Sequence, residues 1–382
     1  MDTEAYELLR TPELVRAVEE ALGRDPLEVA LDKRVPHAAL VATQVKYLGR
    51  AAAKLPSYRA ARCILPPRAF EQASSEACAA HKRIGGEAVL DLTCGLGVDA
   101  FALSRRFGRV VTLERDPLLA RIARDNFARL GVTNVEVVCA SAEEYLARTG
   151  ERFDWVYADP DRRDAAGRKQ VRLEACSPDI VALMPAVRRV AGRLCLKNSP
   201  LFDVDAAFAL FGGCETEVVS LGGECKEVMV YADGREPRIT ATALGLGSFG
   251  LPRCEAVNAP CAEPFEPGRY GWLVVPDVAL QKARLACAAL RGRADLWSNE
   301  GYGFAASDPG AVLGRVLAIE SIEPYDPKAL RRTMRGERAE LMKRDFPLAT
   351  ARIAADTGIR EGGGVRLAFT RIGGRLWTVR LR

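Results

Sequence analysis

Histidine is nearly missing from this chain of 382 residues, which holds only His37 and His81. Its 11 cysteines include no Cys-x-x-Cys pair, so the spacings that hold zinc are lacking and no metal site is predicted. No run approaches the roughly eighteen uninterrupted apolar residues that a membrane-spanning helix needs. The opening MDTEAYELLRTPELVRAVEEAL is acidic and amphipathic, unlike a basic stretch followed by an apolar core, so no signal peptide is predicted and a cytoplasmic protein with reduced thiols is expected. Internal repeats and low-complexity tracts are also lacking. Excess charge of either sign is scarce: the net charge is +5, with Arg far outnumbering Lys, and by itself demands no nucleic-acid partner. What is present is apolar material, 48% of residues, enough for two or three domains with cores of their own.

The pattern changes three times along the chain. Residues 4–22, with Pro12 after Thr11, and residues 38–53 and 69–83 carry apolar positions at helical spacing, and Gly85-Gly86 ends this front portion. From Ala88, strands are predicted at 88–92, 109–114, 135–139, 153–158, 192–197, 216–222 and 226–232, with helices near 98–107, 117–130, 142–148, 177–190 and 203–210. Such alternation implies a parallel sheet covered on both faces. The last two strands are joined by Gly222 to Cys225, too short for a crossover, and must form an antiparallel hairpin at the sheet edge. A stretch rich in Pro and Gly follows and reads as a linker or extended β region. Beyond it come a helix at 277–290, an Asn-Glu-Gly-Tyr-Gly turn at 299–303, a strand at 313–322, helices at 327–334 and 347–355, and a closing hairpin at 364–382. The expected domains are therefore a helical 1–85, an α/β 86–235, a linker and accessory α/β region 236–310, and a basic α+β 311–382. From Lys328 onward, 14 Lys or Arg stand against five Asp or Glu.

The densest signal is AVLDLTCGLGVDA at 88–100, where an apolar strand ends in Asp91 and breaks into a Cys-Gly-Leu-Gly turn. Gly95 and Gly97 allow a tight turn and close approach of a ligand to backbone. About twenty residues on, VVTLERD ends a second strand at Glu114, where an acid can accept hydrogen bonds from ribose hydroxyls. FDWVYADPDRR places Asp159 and Pro160 at the end of a later strand. A dinucleotide-binding Rossmann domain is the alternative, since Ala100 fits the third position of its glycine fingerprint. Neither Asp91 nor Asp159-Pro160 has a part to play in that alternative.

Together these segments resemble the class I S-adenosylmethionine-dependent methyltransferases over about residues 86–232. With FEQASSEACAAHKR, LKNSP, YGWLVVPDVALQKA and KRDFPL added, the chain is similar to bacterial methyltransferases that carry a C-terminal THUMP-like domain. The resemblance implies a Rossmann-like sheet with S-adenosylmethionine held by Asp91, facing the methionyl amine, by Cys94, Gly95 and Gly97, by Glu114 on the ribose, and by Ser141 and Ala142 at the adenine. Related enzymes often have Asp where Ser141 stands. Asp99, inside the first helical turn, reads as mainly structural.

Asp159 and Pro160 occupy the place of the Asp-Pro-Pro-Tyr loop of enzymes that methylate planar amines, which implies that Asp159 and a backbone carbonyl accept hydrogen bonds from the acceptor amine. Asp161 and Arg162 replace the second Pro and the aromatic, so stacking or phosphate binding falls to Arg162, Arg163 and Lys197. Alternatively, the arginines pair with Asp161, Asp164 and Glu174, and Lys197 is a solvated strand end. Phe70, Gln72, Ser75 and Glu76 either cover the methionyl end or pack the helices. Cys195 lies in a strand and Cys261 outside the core, against a cysteine nucleophile. A THUMP-like tail with nine excess positive charges implies structured RNA, tRNA or rRNA, as partner. A methyltransferase of small molecules or protein with a structural tail is the competing expectation, and a non-catalytic scaffold is the third.

Overall fold

The computed structural model describes residues 1–161, 173–256 and 258–382. Two compact units emerge, Met1–Cys214 with Met229–Arg235, and Glu215–Val228 with Glu236–Arg382. No helix among the described residues is long and apolar enough to cross a membrane.

The first unit opens with helices, but fewer residues run unbroken than their periodicity suggests. The helical pattern at 4–22 is two helices, Thr3–Arg10 and Pro12–Ala21, the second starting at Pro12 after Thr11 as expected, because Pro12 lacks an N–H while Thr11 accepts from the Leu14 N–H and caps it. The helix expected at 69–83 likewise divides into Pro67–Gln72 and Glu76–His81, the latter capped by Ser75. Ala38–Lys54 is continuous and buries Val41, Val45 and Leu48.

Strands β1 (Gly86–Asp91), β2 (Phe107–Leu113), β3 (Val135–Val138), β4 (Trp155–Ala158), β5 (Leu194–Asn198), β6 (Cys214–Leu221) and β7 (Glu224–Ala232) alternate with helices up to the final hairpin, close to their expected places. Their order is β3-β2-β1-β4-β5-β7, with β1 parallel to both β2 and β4. All four residues of β4 are buried, as expected of a strand covered on both faces. The order reverses at β1, so the chain leaves β1 and β4 in opposite directions and opens a crevice beyond their carboxyl ends.

In the second unit the β6–β7 hairpin turns at Gly222 and Gly223, both with positive φ. It is not the sheet edge. Of the two readings of the Pro- and Gly-rich stretch, linker or extended β region, the second holds: it supplies β8 (Arg238–Ala243), parallel to β6, and β9 (Gly247–Pro252), antiparallel to β8. A separate sheet of seven strands comprises β10 (Trp272–Pro276), β11 (Gly303–Ala305), β12 (Gly314–Pro324), β13 (Arg338–Lys343), β14 (Arg360–Glu361), β15 (Val365–Ile372) and β16 (Arg375–Leu381), ordered β11-β10-β12-β16-β15-β13-β14. Because β10 pairs with both β11 and β12, this sheet recruits residues well before the expected boundary at 311. One face packs Leu273, Tyr302, Phe304 and Trp377, and a second cluster gathers Met334, Leu341, Ile353 and Phe369. The helix expected at 277–290 is interrupted at Arg284, which has φ of 58°.

Candidate functional site

Adjacency of β2, β1 and β4 brings the residues that end them, Glu114, Asp91 and Asp159, to one edge of the first unit's sheet. A cleft of about 1010 Å³ opens there, lined by Leu92 to Leu96, Glu114 to Asp116, Ser141 to Glu143, Asp159 to Asp161 and parts of the 66–74 segment. That volume accommodates a nucleoside-sized ligand together with an acceptor.

Asp91 lies beneath this cleft and not among the residues that line it. Its side chain is fully buried; Oδ2 accepts from the Thr112 hydroxyl at 2.6 Å, and Oδ1 from the Thr93 amide at 2.9 Å and the Thr93 hydroxyl at 3.2 Å. Burial raises its pKa to about 7 against the pull of those donors. Thr93, which does line the cleft, also accepts from the Asp159 N–H at 2.7 Å. One hydroxyl thus joins the ends of β1 and β4, a link that no feature of the sequence announced.

Glu114 forms the opposite wall. Its Oε2 accepts from the Gly95 amide at 2.9 Å and its Oε1 from the Asp116 amide at 3.0 Å, while burial raises its pKa. A carboxylate has about four lone-pair sites, so two acceptor positions are left for a diol. Gly95 has φ of +54° and nothing within 4 Å of where a Cβ would stand, which leaves space against the backbone for a ligand. Gly97, expected beside it, does not line the cleft. Its φ is +85°, and a Cβ there would lie 2.6 Å from the Phe127 ring, so this glycine serves packing. Cys94 lines the cleft with its thiol held protonated by burial. Ser141 and Ala142 also line it, but the Ser141 hydroxyl already accepts from the Glu144 N–H and the Glu144 side chain accepts in turn from the Ser141 N–H. The serine is therefore a helix cap as well as a candidate adenine neighbour.

Asp159 faces the cleft from the end of β4, and Pro160 follows in the same wall. Lys197, expected to reach substrate, instead has a side chain only 10% exposed and donates to Asp159 Oδ2 at 2.5 Å and to Ser74 Oγ at 2.8 Å. Its ammonium also lies 3.9 Å from Asp99, which accepts from Ser74 at 2.8 Å and pairs with Lys82 at 3.1 Å. Lys82 is 1% exposed. Two lysines and two aspartates thus neutralise one another around Ser74, so Lys197 acts as counter-ion to acids and not as a solvated strand end. Although burial pushes the Asp99 carboxyl up, Lys82 and Lys197 hold it down at about 2. The sequence offered no sign of this, since a Lys in AAHKR reads as solvated.

Of the remaining candidates, Gln72 reaches the cleft. Phe70 packs edge-on to Tyr47, and Glu76 accepts from Ser57. Arg162, Arg163 and Asp164 lie outside the described residues. Among the described residues, no three His, Cys, Asp or Glu side chains gather as a metal site.

Comparison with known proteins identifies two matching segments along the chain. Residues 89–169 match the model of a methyltransferase domain, and residues 314–382 that of a THUMP domain-like family. An uncharacterised S-adenosylmethionine-dependent methyltransferase of Mycobacterium tuberculosis is 26% identical over 345 residues, 85% of this chain and 90% of that protein. The ribosomal RNA small subunit methyltransferase J of Coxiella burnetii is 29% identical over 130 residues, 30% of this chain and 50% of that enzyme. Among solved structures, a candidate methyltransferase from Porphyromonas gingivalis W83 shares the fold, with a TM-score of 0.82 and 24% identity over 100% of this chain and 99% of that one. The chain thus joins a segment that matches a methyltransferase domain to a C-terminal segment that matches a THUMP domain-like family, and over most of its length it is similar to an S-adenosylmethionine-dependent methyltransferase.

Proposed function

We propose that this enzyme methylates an exocyclic base amine of structured RNA, tRNA or rRNA. One observation carries the reading: Asp159 presents a carboxylate to the cleft with Oδ2 held by Lys197 and its N–H held by Thr93, while Oδ1 has no hydrogen-bond partner among the described residues. A fixed acceptor of that kind suits the N–H of a planar amine, and the bond it accepts turns the nitrogen lone pair out of conjugation toward the donor. The fit of S-adenosylmethionine rests on the acceptor positions left on Glu114, the open face of Gly95 and the buried carboxylate of Asp91. When bound it supplies an electrophilic methyl on a sulfonium. Asp159 would hold the acceptor amine by its N–H and would take up the proton that the nitrogen sheds on methylation, passing it to water.

RNA as substrate draws on the ribosomal RNA methyltransferase likeness and on the second unit's arginines. Arg366, Arg371 and Arg380 pair with Glu340, Asp345 and Glu320, which favours a structural tail and hence a small-molecule or protein substrate. Arg331, Arg332, Arg335 and Arg338, however, are exposed and have no ion-pair partner among the described residues, which leaves cations for phosphates. Mass spectrometry of nucleosides from cells lacking the gene tests the proposal. A single methylated, amine-bearing nucleoside is expected to disappear and to return with the wild-type gene but not with Asp159→Ala. Unchanged nucleosides would refute an RNA substrate.

A further inference from the structure

In the second unit, three hydrogen-bond donors from separate elements lack oxygen acceptors. Arg344 follows β13, and its Nη1 is buried without a hydrogen-bond partner among the described residues. Its guanidinium carbon lies 5.8 Å from the ring centroid of Tyr302, a side chain only 2% exposed whose hydroxyl also has no protein partner among them. Arg315, at the start of β12, has only the Met342 thioether, at 3.6 Å.

Acidic groups near them are committed elsewhere. Glu340 pairs with Arg366 and Asp345 with Arg371, while Asp277 accepts from both the Ser220 hydroxyl at 2.5 Å and the Ala279 amide at 2.8 Å on its Oδ1 and is not hydrogen-bonded to Arg344. Burial disfavours the Arg344 cation, Tyr302 and Asp277 offset part of that, and the Arg315 charge adds to the penalty, yet no carboxylate is hydrogen-bonded to it. A guanidinium without an acceptor beside a phenol, with the exposed Arg315 guanidinium near enough for its charge to act on both, is the complement of an oxyanion, and planar guanidinium suits phosphate best.

We propose that Arg344, Arg315 and Tyr302 form a phosphate-binding site in the second unit, separate from the methyl-transfer cleft. The Arg344 of KRDFPL and the tyrosine of the Asn-Glu-Gly-Tyr-Gly turn thereby acquire a shared purpose. The ligand is a phosphate group, either free or within a phosphodiester backbone. In the second case the proposal rests on the RNA reading above.

Thermal unfolding of the full-length protein in millimolar inorganic phosphate, against chloride at equal ionic strength, tests it. The wild type is expected to melt higher in phosphate, whereas Arg344→Met and Arg315→Met should lose that shift, with apparent phosphate affinity weakened about tenfold or more. In chloride, Arg344→Met should melt no lower than wild type, since it removes a buried cation without an acceptor; a purely structural arginine would destabilise in both salts. Tyr302→Phe, which keeps the ring, separates loss of the hydroxyl from loss of packing. Absence of a phosphate shift in the wild type, or an equal shift in Arg344→Met, would overturn the site. Filter binding of total tRNA and rRNA then distinguishes the sources: weakened binding by Arg344→Met identifies a phosphodiester ligand, and unchanged binding alongside a lost phosphate shift identifies a free one. Either result is independent of whether Asp159 methylates RNA.

Discussion

Replacing Asp91 by Asn should stabilise the cofactor-free protein while harming its chemistry. The carboxyl has no exposed surface, and burial raises its pKa from 3.8 to about 7. A raised acid favours the folded state only while protonated: its contribution is complete below the unfolded pKa and disappears as pH climbs through the folded one. A rise of that size corresponds to about 4 kcal/mol of stability lost by about pH 8. In Asp91→Asn the side-chain amide would keep an oxygen as acceptor for Thr93, and the Thr112 hydroxyl can rotate to accept from the new N–H. Unfolding free energies of the two proteins from urea titration should therefore coincide near pH 4 and diverge by several kcal/mol near pH 8. Cofactor binding should move oppositely. The methionyl ammonium favours ionised Asp91, so affinity of the wild type should rise by up to about tenfold per pH unit below pH 7, and that of Asp91→Asn should be weaker and flat there. Isothermal titration calorimetry at several pH values reads both. A variant less stable than wild type near pH 8, or wild-type affinity that is flat from about pH 6 to 7, would refute the assignment of Asp91 as a buried partner of the cofactor's cation.

Three further sets of substitutions probe the same edge. Thr93→Val strands the Asp159 N–H and should cost about 1–3 kcal/mol, lowering methyl transfer more than cofactor affinity, with Thr93→Ser restoring both; equal rates in Thr93→Val would exclude a link between β1 and β4. Gly97→Ala meets the Phe127 ring at 2.6 Å in a left-handed conformation and should lower thermal stability by about 2–4 kcal/mol, whereas Gly95→Ala, with open space around it, should cost only the backbone strain of about 1–2 kcal/mol yet weaken cofactor binding. Asp99→Asn removes an anion paired with buried Lys82 and Lys197, at a cost of about 3–5 kcal/mol at neutral pH. Because the folded pKa of Asp99 is depressed to about 2, its contribution is present above about pH 4 and fades as pH falls through 2, so that penalty should shrink in acid unfolding.

The sheet and the acids at its edge were legible because their signals are local. Apolar runs, the glycine turn and the strand-end positions of Glu114 and Asp159 lie within a few residues of one another, and strand pairing then aligns them. What escaped depends on pairs distant in sequence. Thr93 meets Asp159 across 66 residues, and buried Lys82 pairs with Asp99, 17 residues further on. Strand β8 could be read only as linker or extended β region because Pro and Gly punctuate the stretch around it; its place beside β6 is fixed by partners distant in sequence, the Thr240 and Thr242 hydroxyls donating to Glu215 and Glu217 at 2.5 and 2.6 Å. The tail shows the same limit in its charge. A sum over residues 328–382 treats every arginine alike, whereas strand register pairs Arg366 with Glu340 opposite it and leaves Arg344 against an aromatic ring. The net positive charge reports only that phosphates would be attracted. Which arginines can bind one follows from where the acids have already been used.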